Sequence, residues 1–512
     1  MDEEIRKLEE AVIKSKRIRN SLLNVNKLPI ELLGDIFHRN VMFKGNFGGL
    51  AKRSHNFLLV CHRWFEVAST TPELWSFWGN TLEDLARFYP RSKNAPLDIV
   101  LNHYTLSPVF DNVRLMKTVN ALQEHASRGA FRRIHLQSED PTLLTTILSS
   151  LIVKGGDVRR SEMVSLILWN FDESIPVDVS DFCAHRCFPN LKLLELNNCV
   201  IQSWNYIISA TSSLTALYLC LIHPSPNPTT PQILSLLGSN PLLQRVELHC
   251  DMAPDDGDSV PSSRVQLNHL RHLVLNVSGG WQYVPRLHQQ LDHPEVLAWL
   301  TLVLPVCPVD KISETITPHF WDHFKRGRRA QCGLELTVSY GGRIELRVGN
   351  VVDINTILGV NMIKVITLII RLGEWVTEGI QWEAALDLFA QVRREEFVYF
   401  KVFDETSGTK PIPREVCTNL PNLKTLHLVG MHLPTVFWKS DSGVYEAIPP
   451  ELEHLTLESV TKNDSGWSPL TTFLADRALS GKRLSTLKIL YSDHIYPEVE
   501  EEIKGMVGSF GV

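Results

Sequence analysis

The chain of 512 residues is 44% hydrophobic and 21% charged, with a formal net charge of −6 at pH 7. That is enough apolar material for two or three compact domains or one long repeat array, and too much for a disordered chain. The acidic balance gives no general attraction to phosphate backbones or anionic lipid, so neither nucleic acid nor a membrane is an expected partner.

Nine cysteines, an odd number spread over long segments, fit reduced buried thiols better than a disulfide framework. The opening MDEEIRKLEE has no apolar signal region, and no stretch approaches about 18 uninterrupted apolar residues, so a cytoplasmic or nuclear location is expected.

In chain order, residues 1–27 hold a charged helix over 2–23, with Ile5, Leu8 and Val12 at heptad-like spacing and acids giving way to bases along its length. Ser15 and Arg19 break the heptad, so the helix is expected to pack back on residues 28–78, with dimerisation as the sharper alternative.

Residues 28–78 form a small helical module. Pro29 suits a first helical turn, and Leu28, Leu32, Leu33, Ile36 and Phe37 recur at helical spacing. Phe57, Val60, Cys61, Trp64, Phe65 and Ala68 predict a second helix buried along one side and ending near Ser69. About fifty residues are too few for a self-sufficient core, so part of this apolar surface calls for a partner.

Leu28-Pro29-x-Glu31-Leu32-Leu33-x-x-Ile36-Phe37, Leu59-Val60-Cys61-His62-Arg63-Trp64 and Pro72-Glu73-Leu74-Trp75, in that order, resemble the F-box. That module binds the Skp adaptor of cullin-RING ubiquitin ligases. The resemblance implies adaptor contacts at Leu28, Pro29, Leu32, Ile36, Val60, Cys61 and Trp64. The spacer between Phe37 and Leu58 is long for the family and is similar to those in F-box proteins of mushroom-forming fungi.

Residues 79–497 repeat one pattern. Apolar-x-x-apolar-x-apolar segments begin at Phe131, Met163, Leu191, Leu214, Leu243, Leu270 and Leu297, and again at Ile363, Phe397, Leu423, Leu452 and Leu484. Within each run the intervals lie between 23 and 34 residues. The signature is that of a leucine-rich repeat, so the expected fold is α/β: the helical F-box, then a leucine-rich-repeat-like solenoid of strand/helix units of about 28 residues on a curved parallel sheet. The rhythm breaks at about 305–350, where LELTVSY and RIELRV flank Gly341-Gly342 as a hairpin or a distorted repeat, and 498–512 is an acidic end segment.

No phosphate loop, G-x-S-x-G, H-E-x-x-H or G-x-G-x-x-G occurs. Cys183 and Cys187 have helical spacing, yet a structural zinc site needs four ligands and no second pair matches, so no metal, cofactor or catalytic group is expected. In each strand the residue between the last two apolar positions points away from the core. Those residues include Glu195, Tyr218, Glu247, Val274, Thr301, His427, Thr456 and Lys488, a mixed set suited to an unknown target protein. The expected function is a non-enzymatic substrate receptor of a Skp–cullin–F-box ligase. The alternative is a scaffold that binds the adaptor without directing ubiquitylation.

Overall fold

The structure, a computed structural model, describes residues 2–43, 56–79, 90–93, 95–101, 119–120, 122–124, 131–151, 162–184, 188–221, 226–254, 264–280, 282–294, 297, 299–304, 332–339, 343–353, 361–371, 397–404, 420, 422–430, 437, 448–449, 451–460, 466–491 and 495–511. It is an α/β chain of two compact units, Met1–Leu214 and Thr215–Val512.

The first unit begins with helix α1 (Asp2–Ser21), a 3-10 turn at Asn24–Lys27, helix α2 (Ile30–Phe43), a 3-10 turn at Asn56–Leu59, helix α3 (His62–Thr70) and a 3-10 turn at Pro72–Trp75. Strands β1 (Phe77–Gly79), β2 (Leu97–Leu101), β3 (Phe131–Ser138), β4 (Ser165–Asn170) and β6 (Leu193–Asn197) then pair in sequence, all parallel. Helices α4 (Pro141–Leu151), α5 (Ser180–Ala184) and α6 (Trp204–Ala210) come after strands, as parallel pairing requires of a crossover. The short β5 (Val177–Asp178) and β7 (Cys199–Val200) pair with each other.

Burial alternates with period two along β6, and β4 buries the equivalent positions. Leu166 and Leu168 on β4, and Leu194 and Leu196 on β6, face the core. Two residues beyond each pair stand the buried Asn170 and Asn198. The Asn170 amide donates to the carbonyls of Asp172 and Ile175 at 3.1 and 2.6 Å and reaches that of Asn198 at 3.4 Å, so polar backbone is satisfied where each strand turns outward. Asn198 adopts φ 49, a left-handed conformation that asparagine tolerates.

The helical module runs directly into this sheet. Ser76 accepts from the Asp98 N–H at 2.7 Å, and Phe77 registers with Asp98. The Asp98 carboxylate is buried and takes two bonds from Arg132, at 2.9 and 2.6 Å, and the Arg91 guanidinium lies 4.6 Å from the Trp75 ring centroid. A bidentate pair is the arrangement in which a buried carboxylate is held without an uncompensated charge.

The second unit contains β8 (Ala216–Leu221), β9 (Arg245–Asp251), β11 (His272–Ser278) and β13 (Trp299–Leu304), adjacent and parallel, with β10 (Val265–Gln266) and β12 (Leu291–Asp292) paired apart. Helices α7 (Thr230–Gly238) and α8 (Tyr283–Gln290) connect them. In α7, Thr229 and Gln232 form a capping box, Ile233, Leu234, Leu236 and Leu237 are buried, and Gly238 is the last helical residue. The Asn240 side chain then secures the turn by donating to the Leu236 carbonyl at 2.9 Å.

The irregular segment is a hairpin, as far as it is described. Strands β14 (Cys332–Ser339) and β15 (Arg343–Asp353) are antiparallel from Ser339 opposite Arg343, and β15 is also antiparallel to β16 (Asn361–Arg371). Strand β16 pairs in parallel with β13, and β14 with β17 (Phe397–Asp404), so the spatial order is β13-β16-β15-β14-β17. Strands β18 (Thr425–Val429), β19 (His454–Glu458), β20 (Thr486–Leu490) and β21 (Phe510–Gly511) continue the sheet in parallel. Helices α9 (Ser468–Leu479) and α10 (Pro497–Met506) flank β20 in sequence, and the acidic α10 buries Ile503 while Lys504 bridges Glu500 and Glu501. Every apolar-x-x-apolar-x-apolar segment named above contributes a strand.

Three expectations are corrected. Helix α1 does not pack back on the module, because its side chains from Glu3 to Arg19 are exposed, Ile5, Leu8 and Val12 among them. Pro29 precedes α2 rather than occupying its first turn, and its carbonyl accepts the Leu33 N–H. The helix predicted from Phe57 to Ser69 is broken: Cys61 is extended at φ −161, and only His62 onward is α-helical.

Candidate functional site

The break at Cys61 places the side chains of the module. Phe57 lies flat on Phe37 with ring centroids 4.8 Å apart, and Trp64 tilts against Phe37 at 5.0 Å. Leu33, Phe37, Phe57, Val67, Ala68, Leu74 and Trp75 form the core, with Leu58 and Trp64 packed on it. The helical stripe read from Val60 and Phe65 is therefore displaced: Val67 is buried while Val60 and Phe65 are exposed, since stacking on Phe37 outweighs local periodicity.

Polar ties lock this small core. The Asn26 side chain is buried; its amide donates to the Asn20 carbonyl at 2.7 Å, and its oxygen accepts from Trp64 Nε1 at 2.7 Å. The Cys61 thiol lies 3.9 Å from the same amide group. Arg63 donates to the Leu28 carbonyl at 2.6 Å, and Trp75 Nε1 to that of Ala68 at 2.7 Å.

Beside its charged residues the module leaves large apolar side chains in water. Leu32 and Ile36, one helical turn apart on α2, are 50% and 47% exposed, and Leu59 and Val60 are 85% and 55% exposed. Ile30 and Val25 are exposed as well. Of the residues carried over by resemblance, Pro29, Leu32, Ile36 and Val60 are thus exposed, Leu28, Cys61 and Trp64 are half-buried, and Trp64 serves mainly as an internal tie. Sequence reasoning passed over Ile30 and Leu59 as surface and Asn26 as an anchor; Leu59 stood beside Val60 in the same motif.

No family model, curated protein or solved structure matches this chain.

The second candidate surface lies on the sheets. By Cα register Tyr218, Glu247, Val274, Thr301, Thr367, Arg347, Glu335, Lys401, His427, Thr456 and Lys488 form one row across the second unit. Glu195 registers with Ile167 and His135 in the first unit. The row was expected to be open, but Glu247, Thr301 and His427 are buried; Glu195, Tyr218 and Thr456 are half-buried. Strands about 4.8 Å apart let neighbouring side chains cover each other.

Several of these covers are polar contacts. Glu247 accepts from Arg245 at 2.8 Å and lies 2.9 Å from His272 Nε2; burial raises its carboxyl, but the neighbouring His272 imidazole and Arg245 guanidinium outweigh burial and hold the pKa below the usual carboxylate value. His427 meets Glu458 at 2.8 Å, and burial first, then Lys401, keeps its pKa down at about 4. A neutral His427 donates its Nε2–H to the carboxylate. His249 contacts Asn276 at 3.1 Å and lies 5.6 Å from the Tyr218 ring. Burial pushes up the thiols of Cys199 and Cys250, the latter to about 12, which removes both as nucleophiles at neutral pH. Among the described residues no helix is long and apolar enough to cross a membrane.

Proposed function

We propose that this chain is the substrate-recognition subunit of a Skp–cullin–F-box ubiquitin ligase, with residues 28–78 as the F-box and the strand repeats as a leucine-rich-repeat-like solenoid that holds a target protein. The observation that carries the reading is that Leu32, Ile36 and Val60, at motif positions where the resemblance puts the adaptor, are exposed over a closed core, with Leu59 exposed beside them. A small module that keeps large apolar side chains in water is built to be covered. The succession of parallel strands at repeat spacing, with Asn170 and Asn198 in equivalent places, supports the solenoid.

The mechanism is tethering. The F-box holds the adaptor, the sheet units hold the target, and the target's effective concentration rises near the conjugating enzyme that the cullin-RING assembly carries. The chain itself makes and breaks no bond. The place of action is the cytoplasm or nucleus.

Full-length protein co-expressed with the adaptor tests this, beside a Leu32→Glu/Ile36→Glu/Val60→Glu variant whose fold is checked by circular dichroism. Adaptor retained by wild type and lost by the folded variant supports the reading. Failure of wild type to hold the adaptor sinks it. Adaptor binding without cullin recruitment would instead indicate a scaffold that does not direct ubiquitylation.

A further inference from the structure

Away from the F-box and the sheet row, two imidazoles face each other beside α8. His288 lies in the last turn of that helix and is 7% exposed, and His293 comes directly after β12. Their Nε2 atoms are 3.4 Å apart and their ring centroids 5.4 Å apart. His293 Nδ1 stands 3.1 Å from the Pro294 carbonyl oxygen. A carbonyl only accepts, so Nδ1 carries the proton and His293 Nε2 presents a lone pair toward His288.

That is the tautomer and orientation that a metal-binding imidazole takes when its other nitrogen is anchored to backbone. Two imidazole nitrogens bound to one tetrahedral ion at about 2.0–2.1 Å each stand about 3.4 Å apart, the separation found here. The spacing His288-x-x-x-x-His293 also falls within the range that paired zinc-binding histidines use. The scaffold holds both rings: Leu287 and Leu291 are buried, β12 pairs with β10, and Gln266 donates to Asp292 at 2.7 Å.

We propose that His288 and His293 form a two-imidazole site for a borderline divalent transition ion, with Zn2+ the favoured occupant and water completing its coordination. Imidazole suits such ions and not Mg2+ or Ca2+. Among the described residues no group of three or more His, Cys, Asp or Glu side chains is gathered to hold a metal.

The test uses full-length protein, with 19 histidines as its background, titrated with Zn2+ against a chromophoric chelator in excess Mg2+. Wild type, His293→Ala and His288→Asn are compared, each checked first for its metal-free Tm. The expected result is one equivalent of Zn2+ whose affinity falls by more than about tenfold in either variant, at least the loss that removing an outer partner of a metal ligand brings. Wild-type stoichiometry and affinity in folded His293→Ala, or no uptake by wild type, would reduce the pair to hydrogen-bonded imidazoles. His293 is only half-buried, so its variant decides the matter even where His288→Asn fails to fold.

Discussion

Trp64 donates its indole N–H to the side-chain oxygen of Asn26 over 2.7 Å, and through the Asn26 amide is joined to the Asn20 carbonyl at the end of α1. The two residues are 38 apart in sequence, and their bond fixes the entry to α2 against α3. Asn26→Ala removes one acceptor and one donor at once and leaves the indole N–H without this acceptor. A loss of about 1–3 kcal/mol is expected, read as a lower urea midpoint with an unchanged m-value.

Neighbouring leucines on α2 should behave oppositely. Leu33 is fully buried, and Leu33→Ala is expected to cost about 2–5 kcal/mol. Leu32 is half in water, and Leu32→Glu should leave stability within about 0.5 kcal/mol while weakening adaptor retention. Thermal melts beside co-purification separate the two effects.

Gly279 sits at φ +95, where a Cβ would lie 2.8 Å from the Met252 carbonyl oxygen. Both the backbone conformation and the contact oppose a side chain, so Gly279→Ala should destabilise by more than about 1 kcal/mol. Gly481, at φ +72 with open space around it, is the control: its alanine variant should lose less in the same denaturant series.

His135 is buried beside Gln137, its Nε2 at 2.9 Å from the amide, and desolvation lowers its pKa from 6.5 to about 4. Between those values the unfolded chain binds a proton that the folded chain does not, so stability is full above pH 6.5 and falls as pH drops toward 4. The loss from this group reaches roughly 3 kcal/mol. His427 acts in the same direction. Urea melts at pH 7.5 and 5 should show a smaller difference in His135→Gln than in wild type; an equal difference would exclude His135 as a source.

The apolar-x-x-apolar-x-apolar pattern alone located twelve of the strands. Leucines at i, i+3 and i+5 put two residues of each such strand on one face, and that period is local, so it survives in the strands of each unit. The sequence also located the module and its closing Pro72–Trp75 turn. Helical periodicity did not decide which apolar residues of the module face inward, because Leu32 and Leu33, or Phe65 and Val67, are told apart only by the aromatic stack on Phe37. Nor did it reveal that β16 lies between β13 and β15, or that Glu247, Thr301 and His427 are covered by their neighbours. Those outcomes depend on partners far along the chain, through packing and hydrogen bonds that no local pattern encodes.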